Sequence, residues 1–293
     1  WFSNILTIHF NNFSYLFFRS KFFTFEIINH KLFKMKKTSL IIILVLIVNI
    51  SFAQYAVVDF FVLKDGMESQ YLSTEKVWKN YHQSSVKKGE KIEWSLWKRA
   101  PRKNDNEMVP HYATLNRFVS KEDMENYINN DDNILSLLRE SNKGKMSSRQ
   151  VNKVLNYNPV KAHRRYCIQL IDGTPFTGGD LKVGDKMDVS GMIQKDDEYE
   201  NYERYVYKPI FLNEVMKGNM RWWGLTKIID RNDSAYKDVT HFTWRIHTVG
   251  KKLNPNYDEL FGNEFVSKKM RELTRDSRDV RGSGNLTMID KTM

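Results

Sequence analysis

The stretch YAVVDFFVL, residues 55–63, is apolar on both parities of a strand. Ala56, Val58, Phe60 and Val62 lie on one, Val57, Phe61 and Leu63 on the other, and Asp59 is the single charge. Such a run predicts a strand buried on both faces. After the turn Lys64-Asp65-Gly66, residues 67–88 read as a helix that Gly89 ends, with Lys87 and Lys88 in its last turn. A strand at 92–99, a polar loop at 101–110 and a strand at 111–119 follow. Ser120 then caps a helix starting at Lys121, with Asp123 in its first turn and Met124 and Tyr127 as apolar contacts. A closing strand is expected at 166–171. The order then recurs: strand 186–193, helix 197–217, strands 221–229 and 240–249, a helix near 257–279 and a short strand at 286–289. Tyr199, Tyr202, Val206 and Ile210 share one face of the second long helix, and Pro209 predicts a kink in it.

The recurrence extends to individual residues. At an offset of 129 positions, GEKIEWSLWK (89–98) overlies GNMRWWGLTK (218–227), both reading G-x-x-x-x-W-x-L-x-K. Asp59 meets Asp188, Lys79 meets Lys208, and, one residue of slip later, VPHY (109–112) meets VTHF (239–242). The expectation is a duplication, with repeat 1 at 54–172, a linker at 173–185 and repeat 2 at 186–293. A βαββαβ order in each unit is the ferredoxin-like plan, so the fold class is α+β. Because the first strand is apolar on both faces, each repeat's sheet is expected to cover the other's, giving two ferredoxin-like repeats packed sheet to sheet as a pseudo-dimeric α+β barrel. On this element order and the run from Lys208-Pro209 through Lys217-Gly218 to Trp223-Gly224-Leu225, the chain resembles the dimeric α+β barrel superfamily, with its NIPSNAP-like and antibiotic-biosynthesis-monooxygenase-like families. The resemblance covers most of 55–293. It implies the fold, and no catalytic motif carries over residue by residue; members of the superfamily range from small-molecule oxygenases to haem-degrading enzymes.

The residues ahead of the first strand read differently. In residues 35–53, Lys36 and Lys37 precede an apolar run at 40–50 and Ser51-Phe52-Ala53. This is expected to be a secretory signal peptide cleaved after Ala53, its apolar run being shorter than the ~20 residues of a membrane span. Residues 1–34 hold nine of the 18 Phe and no Met. They are expected to be upstream sequence translated ahead of Met35, the competing reading being a Phe-rich membrane-associated extension. The expected localisation is periplasmic or secreted, in a bacterial setting. Removing residues 1–53 takes away six basic residues and one acid and lowers the formal charge from +11 to +6, too small an excess to point to nucleic acid. Cys167 is the only cysteine, so no intramolecular disulfide forms. A barrel that closes within one chain permits a monomer.

Six residues stand out, three in each repeat: Asp59, Trp94 and His111, and their counterparts Asp188, Trp223 and His241. Each Asp sits mid-strand among apolar neighbours, where a carboxylate needs a partner. First and third strands are neighbours in the ferredoxin-like order, so an Asp–His contact within each unit is geometrically possible and would serve acid–base or binding chemistry. The alternative is a structural Asp bonded to a backbone group or to Arg or Trp in the sheet, with the His at a solvated strand end. Trp94 and Trp223 read either as aromatic walls of a ligand cavity or as core. No motif specifies a cofactor. Metal binding is not expected, since His241 and His247 lie six residues apart, about 20 Å along a strand. The expected function is an exported protein that binds a small molecule in a cavity between the two repeats. The alternative is a non-enzymatic envelope scaffold using the basic segment 142–166 (Lys143, Lys145, Arg149, Lys153, Lys161, Arg164, Arg165) as a contact surface.

Overall fold

A computed structural model describes residues 55–129, 133–253 and 255–292; the expected signal peptide and the stretch ahead of it lie outside the described residues. Eight strands form a closed barrel in which every neighbouring pair is antiparallel. They are β1 (Tyr55–Leu63), β2 (Glu93–Arg99), β3 (Tyr112–Phe118), β4 (Val160–Gly173), β5 (Lys186–Gln194), β6 (Met220–Arg231), β7 (His241–His247) and β8 (Arg278–Lys291). Around the wall, β4-β1-β3-β2 is followed by β8-β5-β7-β6. Closure leaves no unpaired edge.

The double apolar character of β1 is resolved by this closure. Ala56, Val58 and Phe60 point into the barrel, where one core cluster draws buried residues from all eight strands, among them Trp97, Ala113, Tyr166, Val189, Ile228, Trp244 and Met288. The opposite parity of β1 faces helices. Leu63 packs with Trp94, Leu96, Tyr112 and Tyr71, and Val57 with Phe118, Met124 and Cys167. Tyr71 belongs to α1 (Glu68–Lys87) and Met124 to α2 (Lys121–Ile128). The Ser120 hydroxyl accepts the Asp123 N–H at 3.0 Å and starts α2 where expected.

Two helices lie where the sequence pattern was silent, α3 (Ile134–Asn142) and α4 (Ser148–Leu155). Their apolar residues Leu138, Val151 and Val154 cover Val77 and Tyr81 of α1. In the second half, a short α5 (Tyr199–Tyr202) runs into a π-helical turn, Glu203–Tyr207, and then into α6 (Lys208–Met216). The irregularity that Pro209 predicts is this π turn: proline has no N–H to give the preceding turn. The helices α7 (Tyr257–Phe261) and α8 (Glu264–Asp276) precede β8. Among the described residues no helix is long and apolar enough to cross a membrane. The segment 173–185 is held along β6, with Arg221 binding the carbonyls of Thr177, Gly179 and Asp180 and the Asp185 carboxylate at 2.6 Å.

Candidate functional site

The register of β1 decides where Asp59 points. Asp59 lies opposite Thr114 on β3 and Arg165 on β4, on the parity facing α1. Its carboxylate is buried and accepts from His163 Nε2 at 2.6 Å and Arg165 Nε at 2.8 Å. The Asp59–His111 contact is not made, and Asp59 is instead bonded to an Arg in the sheet. His111 lies three positions before Thr114, the residue of β3 opposite Asp59, with its N–H on the Phe61 carbonyl and its Nδ1 accepting from the Leu63 N–H at 3.0 Å. The Asp188–His241 contact is also absent. Asp188 takes His247 at 2.8 Å, Arg245 at 3.4 Å and Asn285 at 2.5 Å, because Arg245, not His241, is its partner in register. His241 is fully buried against Glu200 and the edge of Tyr199.

None of the six residues faces the barrel interior. Trp94 and Trp223 both turn to the helix layer, Trp94 onto Tyr71 and Trp223 against Phe211, its rings 5.9 Å apart and stacked. In the second half Tyr199, Phe211, Val215, Trp223 and Leu225 pack together in this layer. In the first half, between α1 and the sheet, lies a cavity of about 310 Å³ that contains Asp59 and Trp94 together with Tyr71, Glu75, Trp78, His82, Tyr127, His163 and Arg165.

Helix spacing puts Tyr71, Glu75, Trp78 and His82 on one face of α1, over the sheet. Trp78, His82 and Trp94 form a stack, with ring centroids 5.8 and 5.2 Å apart. His82 is buried, and burial together with the neighbouring Lys91 ammonium holds its imidazole well below the usual range, so it is neutral. Lys91 is itself buried; its ammonium reaches Nδ1 of His82 at 3.0 Å, the Asn116 amide oxygen at 2.9 Å and the Tyr127 ring at 3.8 Å. Burial pulls it down to about 7.

The two carboxyls of the cavity are driven apart. Burial pushes Glu75 up to about 8, and the negative charge of Asp59 adds to the effect. Burial would raise Asp59 as well, but the His163 hydrogen bond and the Arg165 guanidinium offset it and hold Asp59 below the ordinary carboxylate range. At neutral pH the pair is thus one protonated acid and one carboxylate, the division of roles that acid–base sites use. The Trp94 Nε1–H is buried without a hydrogen-bond partner, an uncommon state for a buried polar atom, and the buried Tyr71 hydroxyl lies beside the Glu75 carboxyl. Among the described residues no group of three His, Cys, Asp or Glu side chains is placed to hold a metal.

Sequence reasoning selected Asp59 and Trp94 and missed the rest. The signal for Glu75 and His82 was present, as two polar residues within the helix-face series Tyr71, Glu75, Trp78, His82. His163 and Arg165 were hidden in a segment read as a basic contact surface, and Arg164 between them is only 4% exposed.

No family model and no curated protein matches the chain. Among solved structures, it is similar to an anthrone oxidase-like protein, with 10% identity and a TM-score of 0.48 over 83% of this chain and 94% of that one. It is also similar to a provisionally assigned monooxygenase from Lactobacillus acidophilus NCFM (12% identity, TM-score 0.44, 82% and 95% covered). A chlorite dismutase variant from Candidatus Nitrospira defluvii matches at 11% identity and a TM-score of 0.40, over 80% of this chain and 91% of that one.

Proposed function

We propose that the protein binds a small, flat organic molecule in the helix–sheet cavity of its first half and moves a proton on it, with Glu75 as acid and the Asp59–His163 pair as base. The observation that carries this reading is one cavity holding a protonated carboxyl, an ionised one and an unpartnered indole N–H. Its walls suit a planar guest: Trp78, Trp94 and Tyr127 supply aromatic surface, while Trp94 supplies a hydrogen-bond donor that a ligand oxygen would satisfy. The setting we infer is an exported protein, released by cleavage after Ala53, whose barrel is a fused pseudo-dimer of two ferredoxin-like repeats with the site in the first. The scaffold reading of segment 142–166 is weaker, because Arg164 and Arg165 are spent inside the fold.

The neutral aromatic alcohol 2-naphthol is a suitable probe, read by quenching of tryptophan fluorescence. Saturable quenching is expected, weakened several-fold in Trp94→Phe, which keeps a ring and removes the orphan N–H. Affinity should fall as pH rises through about 8, where Glu75 loses the proton it donates, and Glu75→Gln should abolish that inflection. Quenching that never saturates, or an inflection that survives Glu75→Gln, defeats the proposal.

A further inference from the structure

The barrel has a second cavity, at the end of its interior, and this one is built around arginine. It measures about 320 Å³ and draws on both halves of the chain. Its floor is apolar, from Phe60, Val189, Val239, Phe242 and Leu286. Four guanidiniums, those of Arg99, Arg102, Arg164 and Arg281, stand around it.

The space exists because three lumen-facing positions carry no side chain. Gly191 on β5 pairs with Gly282 on β8, and Gly284 follows on the same parity. A Cβ on Gly282 would meet nothing within 4 Å. Gly282 and Gly284 therefore line the void, whereas Leu286 and Met288, on the same parity of the strand, fill core.

The charges around this void are not balanced. Arg99 is satisfied by a two-pronged bond to Asp105 at 2.6 and 2.7 Å, and Arg281 meets Asp238 at 3.3 Å. Arg102 comes from the rim and binds Ser283 at 3.2 Å and Asn285 at 2.8 Å on the outer face of β8, where Asn285 also holds Asp188, so its guanidinium does not enter the lumen. Arg164 is buried, and its guanidinium has one carbonyl, that of Met108 at 3.1 Å, and the Tyr236 ring at 4.5 Å. Arg281 stacks on the same ring, also at 4.5 Å. Cation–π contact orients a guanidinium without neutralising it. A buried cation without an anion is costly, and a guanidinium with its fork free is suited to a planar carboxylate or a phosphate.

We propose that the barrel-end cavity is a binding site for a small organic anion, with its acidic group on Arg164 and its apolar body on Phe60, Phe242 and Leu286. It is separate from the helix–sheet cavity, since Phe60 and Asp59 point to opposite faces of β1. The test is calorimetric titration of the protein with 2-naphthoate and with its uncharged carboxamide. The carboxylate is expected to bind at least tenfold more tightly, and less tightly as salt rises. Arg164→Gln should cost tenfold or more, and Gly282→Leu should block the cavity while leaving every charge in place. Equal affinity for acid and amide, no binding at millimolar naphthoate, or full affinity in Gly282→Leu overturns the proposal. Glu75→Gln should leave naphthoate binding unchanged, so failure here and failure at the helix–sheet site are distinguishable.

Discussion

Glu75 and Asp59 share one cavity, but only Asp59 has cations bonded to it. Arg165 and His163 hold Asp59 ionised, and Glu75, with Asp59 and Asp290 as its charged neighbours, keeps its proton up to about 8. The consequence for stability has a definite sign. Above the ordinary glutamate range, near 4.5, the unfolded chain has released the Glu75 proton while the folded protein retains it, so this contribution falls as pH rises and levels off past about 8. Glu75→Gln removes the penalty. Its stability relative to the parent, from urea denaturation, should climb between pH 5 and pH 8 by on the order of 3 kcal/mol. Lys91 acts in the opposite sense, between about 7 and its ordinary 10.5, and cancels in the difference. A difference that is flat across pH 5–8 would mean that Glu75 is ionised in the fold. Asp59 was legible in the sequence because one charge breaks a doubly apolar strand. Its partners were not, since strand alternation places neighbours on a face but does not say which strand, at which register, supplies the counter-charge.

The elements that were legible are those with an apolar stripe to bury: β1, β2, β3, β5, β6, β7 and the long α1. The start of β4 and the first half of β8 were not. Val160–Arg165 spends its polar side chains on Asp59 and on the barrel-end cavity, and 278–285 lines a void with Gly282 and Gly284, so neither shows the alternation of a core strand. The helices α3 and α4 were not expected although Ile134, Leu137 and Leu138 have helical spacing; the basic residues of 142–166 pointed to a contact surface instead. At the level of elements, β6 depends on one glycine. A Cβ on Gly224 would fall 2.2 Å from the Trp222 ring, which lies against the barrel core two residues earlier on the same face. Gly224→Ala must displace that indole, and overpacking of this kind costs about 1–3 kcal/mol. The expected result is a lower midpoint in urea with an altered near-ultraviolet circular dichroism band from Trp222. A variant as stable as the parent would show that the ring has room to swing away.

The whole molecule poses the question whether either half can stand alone. The order β4-β1-β3-β2-β8-β5-β7-β6 makes the chain halves meet at two seams, β2 with β8 and β4 with β6. Between the seams the interior is shared: Phe60 and Tyr166 from the first half meet Phe242 from the second at 5.9 and 5.1 Å. Cutting the chain between Asp172 and Gly173 leaves the segment 173–185 with Arg221, which clamps it. Each fragment would then expose the lumen face of four strands and two unpaired strand edges, and a fragment of this size has too little other core to compensate. Fragments 54–172 and 173–293, made separately, should each lack a cooperative thermal transition, and mixing them should restore one whose midpoint rises with concentration, as mass action requires. The near-ultraviolet dichroism of Trp97, Trp222 and Trp244, all against the shared interior, reports the reassembly. If residues 54–172 alone melted cooperatively with native-like dichroism, the helix layer of α1, α3 and α4 would be sufficient core for one half, and the barrel interior would be a docking surface between two independent folding units.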